Sequence, residues 1–237
     1  MATLRAQRRA ELTDRILDAA QAQLLEVGPA ALSLRAVARD VGVTVSGLYR
    51  YYAGRDDLLT ALLVRAFDDH ADAVQDAVEG AEPDLSGQDD DGDRLAPVRA
   101  GLLAYRRWGL ENPTPFGLAY GTPVPGYAAP ADETVRAGAR CGDLLVAAVA
   151  RGRARSGAAA GHDGGDDLDP ARRAHLKALA SRRGYDLPPG VLARTVDLFV
   201  VVHGFVVMDV FGQLRPLSDN PDRDFAALVD RGLDTLR

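Results

Sequence analysis

The sequence predicts an all-α protein, with a three-helix head at the N-terminus followed by a larger helical body. Three observations carry this expectation. Apolar residues recur at helical spacing through most of the chain, helix caps and glycines punctuate them at helix-length intervals, and no segment alternates as a strand does.

The first helix is expected over residues 8–27, where Leu12, Ile16, Leu17, Ala20, Leu24 and Leu25 form one apolar stripe that Gly28-Pro29 ends. Ser33 suits the N-cap of a short second helix over 34–40, stopped near Gly42, and Thr44 suits that of a third over 45–52. A long fourth helix runs from about 55 to 79, with Asp56 and Asp57 in its first turn, where the helix dipole favours acids. Residues 80–93 are acidic and rich in Gly and Pro. They read as a flexible loop, because the Asp-Asp-Asp run lacks the ligand spacing of a calcium site. A helix follows over 95–111, and Asn112-Pro113 closes it. Residues 113–130, rich in proline and glycine, are expected to form an ordered turn with one short helix over 116–120. Helices over 132–156, 171–183, 191–211 and a C-terminal stripe ending at Leu236 complete the body, with a second loop over 157–169.

Composition narrows the function. The net charge is −6, yet residues 1–55 carry eight arginines and five acids, a net of +3 that leaves −9 for the rest. A basic head on an acidic body suits a protein that meets phosphate with one end. The single cysteine, Cys141, excludes an internal disulfide and makes a reducing cytoplasm the simplest setting. No apolar stretch follows the basic residues at the N-terminus, so it does not read as a secretory signal. The apolar run 198–211 is too short to span a bilayer and is interrupted by His203, Gly204 and Asp209, which makes it a buried helix rather than a membrane contact. There is no Gly-x-Ser-x-Gly elbow, no phosphate-cradling glycine loop and no histidine pair at metal spacing, so neither an enzyme, a cofactor nor a metal is expected. His162 lies with Asp163, Asp166 and Asp167 in a glycine-rich loop, which argues against a metal site there.

Two short helices joined by Val41-Gly42-Val43 make a helix-turn-helix, whose second helix enters the major groove of DNA. Ala38 and Val41 are placed to pack on Leu48 and fix the angle between them. The stretch from Ser33 to Leu59, with Leu48-Tyr49-Arg50-Tyr51-Tyr52 and then Arg55-Asp56-Asp57-Leu58, resembles the DNA-binding domain of the TetR family of transcriptional regulators over about residues 10–60. The resemblance implies a DNA-binding domain over 1–55 and an effector-binding and dimerisation domain over 56–237. It implies that Arg35, Thr44, Val45, Ser46, Gly47, Tyr49, Tyr51 and Arg55 form the DNA-binding site. Tyr52 is a core residue by preference, and Arg5, Arg8 and Arg9 are either an arm that tracks phosphate or the minor groove, or disordered. Gly47 offers no side chain and Tyr51 replaces the frequent His, so base readout rests on few residues.

The segments Tyr105-Arg106-Arg107-Trp108-Gly109 and Tyr120-Gly121-Thr122-Pro123, with Val202-His203-Gly204, resemble the C-terminal subclass known as WHG, with Val in place of its Trp. That likeness implies pairing of the last two helices, about 189–212 and 221–236, with their copies in a second subunit. The hydrophobicity of 191–211 agrees, since a helix apolar on nearly every face needs partners on both sides. A homodimer then expects a near-palindromic operator in double-stranded DNA. Candidate effector-binding residues are Tyr105, Trp108, Phe116, Tyr120, Tyr127, Cys141, His203 and Met208, aromatic and apolar walls with a few polar groups. The expected function is a repressor released from its operator by a small molecule. The alternative is a DNA-bound regulator or scaffold controlled by a protein partner.

Overall fold

The structure, a computed structural model, describes residues 4–82, 93–121, 123–155 and 168–237. Among the described residues there are ten α-helices and no strand: α1 Leu4–Val27, α2 Leu34–Val41, α3 Val45–Leu48, α4 Arg55–Gly80, α5 Ala96–Glu111, α6 Pro113–Tyr120, α7 Ala131–Arg155, α8 Pro170–Arg183, α9 Pro189–Val210 and α10 Pro221–Asp234. The all-α expectation holds. The loop expected over 80–93 and the His162 cluster fall almost entirely outside the described residues.

The chain forms two compact units, Met1–Asp69 with Asn112–Gly138, and His70–Glu111 with Ala139–Arg237. In the first, Ile16 and Ala20 of α1, Val37, Ala38 and Val41 of α2, Leu48 of α3 and Leu58, Leu59 and Leu62 of α4 share one buried core. Val124, from the proline-rich stretch after α6, is buried in that same core, and Leu118 and Tyr127 pack on it. The Tyr127 hydroxyl lies 3.0 Å from the Thr60 hydroxyl.

Local chemistry explains most helix ends. Gly42 sits at φ +79, in the left-handed region, where its N–H and that of Val43 bond back to Arg39 and Ala38 carbonyls at 3.1 and 2.9 Å. This is the glycine-capped ending that releases the chain into the turn before α3. Gly42→Ala puts a Cβ into that conformation and is expected to destabilise the protein by about 1–2 kcal/mol, read as a lower midpoint in urea. An unchanged midpoint would show that the turn can relax. Thr44 caps α3 by accepting the Gly47 N–H at 3.0 Å. Ser33 behaves differently from the expected cap: its side chain makes no capping bond, and its own N–H donates to Gln23 Oε1 at 3.2 Å. The third helix is shorter than expected, because after Leu48 the Arg50 and Tyr51 N–H groups bond three residues back, tightening the chain into a turn.

In the second unit, α9 packs against α5, α8 and α10. It buries Val191, Thr195, Leu198, Val202 and Val206, a stripe at helical spacing. At 22 residues it is long and apolar enough to cross a membrane by length and composition. The apolar run counted in the sequence began only at 198. Helical geometry adds the turns from Pro189, where Arg194 and Asp197 interrupt the apolar surface. Gly232 of α10 lets α9 approach closely, for a Cβ there would collide with Leu198. On the side away from that stripe Val200 and Val201 are exposed by 62% and 54%.

Candidate functional site

The helix-turn-helix holds its outward residues by burying the ones between them. Leu48 is completely buried, while Thr44 and Ser46 before it and Tyr49 after it are exposed, Tyr49 by 53%. Val45, Gly47 and Tyr51 are half-buried on the same short element, and Arg35 is exposed on the first turn of α2. The Thr44 and Ser46 hydroxyls lie 3.2 Å apart. Tyr52 is buried in the head core, where burial, and then the nearby Asp14 carboxylate, raises its pKa. The element is tied to α1 by Arg15, whose Nη2 donates to the Val41 carbonyl at 2.7 Å.

Arg55 has a different environment from the other candidates. Its Nη2 donates to the carbonyls of Pro29 and Ala30 at 2.9 and 3.3 Å, and Nη1 lies 3.4 Å from Asp56. Its guanidinium joins the start of α4 to the turn after α1. Asp57 reaches back to accept the Ala53 N–H at 2.9 Å, satisfying a donor ahead of that helix.

The eight residues expected to line an effector site fall into two groups. Tyr105, Trp108, Cys141, His203 and Met208 belong to the second unit, Phe116, Tyr120 and Tyr127 to the first. In the second unit, Tyr105, Trp108 and His203 come together with two residues the sequence reading did not single out, His70 and Phe199. The Tyr105 hydroxyl lies 2.8 Å from His203 Nδ1, and Phe199 meets the Tyr105 ring edge-on at 5.5 Å. His70 stacks on Trp108 with ring centres 4.3 Å apart. His70 Nε2 lies 3.0 Å from the Tyr105 carbonyl. A carbonyl only accepts, so Nε2 carries the proton and Nδ1 does not. Burial drives the His70 pKa down to about 4, and it also lowers that of His203. The signal for His70 was present in the sequence: Leu63, Phe67, His70 and Val74 follow one another at helical spacing, so the histidine lies on a stripe bound for the interior.

Cys141 is buried, which pushes its thiol up to about 12 and leaves it unreactive near neutrality. Met208 is half-buried on α9. In the first unit Phe116 is fully buried against Tyr120 at 4.8 Å, and Tyr120 meets Phe67 edge-on at 5.5 Å. Among the described residues no three of His, Cys, Asp and Glu gather closely enough to hold a metal ion.

Also unanticipated is Arg106. Its Nε and Nη2 both reach Asp209 Oδ2, at 2.8 and 2.7 Å, and Nη1 reaches Asp222 at 2.8 Å. Its guanidinium lies 5.3 Å from the centre of the buried Phe225 ring. One cation therefore clamps α5 to α9 and α10.

A buried helix-turn-helix scaffold with an outward face of Arg35, Thr44, Ser46 and Tyr49 defines the protein as a helix-turn-helix DNA-binding protein with a separate helical body. The family model for bacterial regulatory proteins of the tetR family matches residues 16–62, and that for the tetracyclin repressor-like C-terminal domain matches 98–234. The HTH-type transcriptional regulator Rv1816 of Mycobacterium tuberculosis is 35% identical over 210 residues, spanning 86% of this chain and 83% of that protein. Its Mycobacterium bovis counterpart, Mb1846, matches to the same extent. Among solved structures, the regulatory protein SCO4313 aligns with a TM-score of 0.75 at 28% identity, covering 98% of this chain and all of that one. The TetR family regulator PfmR of Thermus thermophilus shares the fold at a TM-score of 0.52 and 17% identity, over 93% of this chain and 97% of its own. The chain belongs to the TetR family and is a DNA-binding transcriptional regulator.

Proposed function

We propose that the protein is a homodimeric, non-catalytic repressor that binds a near-palindromic operator and leaves it when a small molecule occupies its body. Residues 1–55 read DNA and residues 56–237 carry effector binding and dimerisation. The observation that carries the reading is the exposed face of the short α3 turn, where Tyr49 and Ser46 stand outward while Leu48 anchors the backbone beneath them. In helix-turn-helix proteins the base-reading side chains come from this position. The exposed Val200 and Val201 on α9 support dimerisation through the last two helices, because apolar side chains left bare on so apolar a helix gain from a partner's cover. The effector is assigned to the second unit, where three of the expected lining residues, Tyr105, Trp108 and His203, come together. A regulator of this kind works in the cytoplasm, where its DNA is.

The test is fluorescence anisotropy of the full chain with DNA from upstream of its own gene and with fragments selected from its genome. Arg35→Ala and Tyr49→Phe are each expected to weaken the specific complex by about 1–3 kcal/mol if the side chain contacts the operator. A folded variant that binds as tightly as the original removes that residue from the site. Release of the bound fragment by small molecules supports the sensor. Release only by a protein supports the scaffold alternative.

A further inference from the structure

The turn that leads into α2 is shaped by side chains from two other helices. Gly28 opens it at φ +75, and Pro29–Ala31 make one short helical turn. Ser33, the residue before α2, forms no capping bond with its own side chain. Its N–H goes instead to Gln23 Oε1 on α1, and Gln23 Nε2 reaches Asp40, in the last turn of α2, at 3.4 Å. Gln23 is buried, so a single amide of α1 spans both ends of α2. Arg55, the first residue of α4, holds the other end of the turn. Both hydrogens of its Nη2 are engaged, one by the Pro29 carbonyl at 2.9 Å and one by the Ala30 carbonyl at 3.3 Å. That grip suits a brace better than a phosphate contact. The Arg55 side chain is only 28% exposed, and the Asp56 carboxylate, 3.4 Å from Nη1, is a charge that repels phosphate.

We propose that Arg55 is a positioning residue and not a phosphate contact. It fixes the turn into α2, and so sets where Arg35, in the first turn of α2, meets DNA. Because α2 and α3 share the head core, it also sets the place of Tyr49. The inference rests on the DNA-binding reading above and revises what the family resemblance implies for this arginine. Its consequence is selective. A phosphate contact strengthens binding to every duplex alike, since the backbone carries no base information. Displacing the side chains that read bases costs the preferred sequence most.

The experiment uses the full chain and two duplexes of equal length, one the tightest-bound fragment selected from its genome and one of arbitrary sequence. Binding is measured from about 50 to 200 mM salt. Arg55→Met, which keeps the apolar stem, is expected to lower the ratio of the two affinities about ten-fold, the scale of one lost base contact. The slope of log affinity against log salt on the arbitrary duplex should stay as it is. Arg55→Lys keeps the charge but not the planar group that spans two carbonyls, so it is expected to lower the ratio as well. The thermal midpoint of each variant shows whether it is folded during the measurement. A slope flattened by about 0.9 in Arg55→Met and restored in Arg55→Lys, with the ratio intact, overturns the positioning role and makes Arg55 a phosphate contact. Should Arg55→Met fail to fold, Arg55→Lys decides alone, and an unchanged ratio in it overturns the proposal. If the original protein prefers no genomic fragment, the DNA reading itself falls and the inference with it.

Discussion

Arg106→Ala is expected to destabilise the protein by about 3–5 kcal/mol, the cost of leaving a partly desolvated carboxylate without its partner. The Arg106 and Asp209 side chains are only 11% and 13% exposed, and both short contacts converge on one oxygen of Asp209. Asp222, the third member, is 86% exposed, so Asp222→Ala should cost at most about 1 kcal/mol. Replacing Arg106 and Asp209 together, by Met and Leu, should recover much of the loss, because no uncompensated buried charge then remains. Urea denaturation of the three variants distinguishes these outcomes. A loss below about 1 kcal/mol for Arg106→Ala would mean that water reaches Asp209 once the guanidinium is gone.

Acid is expected to weaken the fold through His70. The ring is fully buried, and burial holds its pKa near 4 against an ordinary value of 6.5. Above pH 6.5 the ring is neutral in both folded and unfolded chains and contributes no pH dependence. As pH falls from 6.5 toward 4, the unfolded chain binds a proton that the folded one refuses, so stability drops. The full drop is roughly 3 kcal/mol, reached when the pH arrives at the folded pKa. Carboxylates add their own loss at low pH, so the informative quantity is a difference. His70→Gln keeps a donor for the Tyr105 carbonyl and removes the titration. Its stability should decline less than that of the original protein over this window, and parallel curves would exclude His70 as the cause. His203 shifts in the same direction through partial burial.

Local rules account for what was legible before the fold was known. Gly42, Thr44 and Asp57 act through bonds to groups at most four residues away, so the turn between α2 and α3, the cap of α3 and the start of α4 could all be placed from the chain. Leu48 was expected in the core as the partner of Ala38 and Val41, whereas the outward place of Tyr49 came from the family resemblance. The extent of α3 was misjudged because nothing in Tyr49-Arg50-Tyr51 breaks a helix. The chain turns there by exchanging four-residue bonds for three-residue ones. The effector candidates were chosen by residue type alone, and type does not say which unit receives a side chain. Phe116, Tyr120 and Tyr127 went to the unit containing the helix-turn-helix, where Tyr127 meets Thr60, 67 residues away.

By itself the sequence determined the helical class, the helix-turn-helix, the basic head and the apolar character of α9, because each depends on spacing or charge within a few turns. Only the tertiary structure decided that Arg106 clamps Asp209 across 103 residues and that the Tyr105 hydroxyl meets His203 across 98. It also decided that Val124 closes the core of the head. The physical reason is the range of the interactions. Caps, turns and helical stripes are satisfied by neighbours along the chain, whereas a buried cation, a paired imidazole or a core plug takes whichever partner packing brings within contact distance.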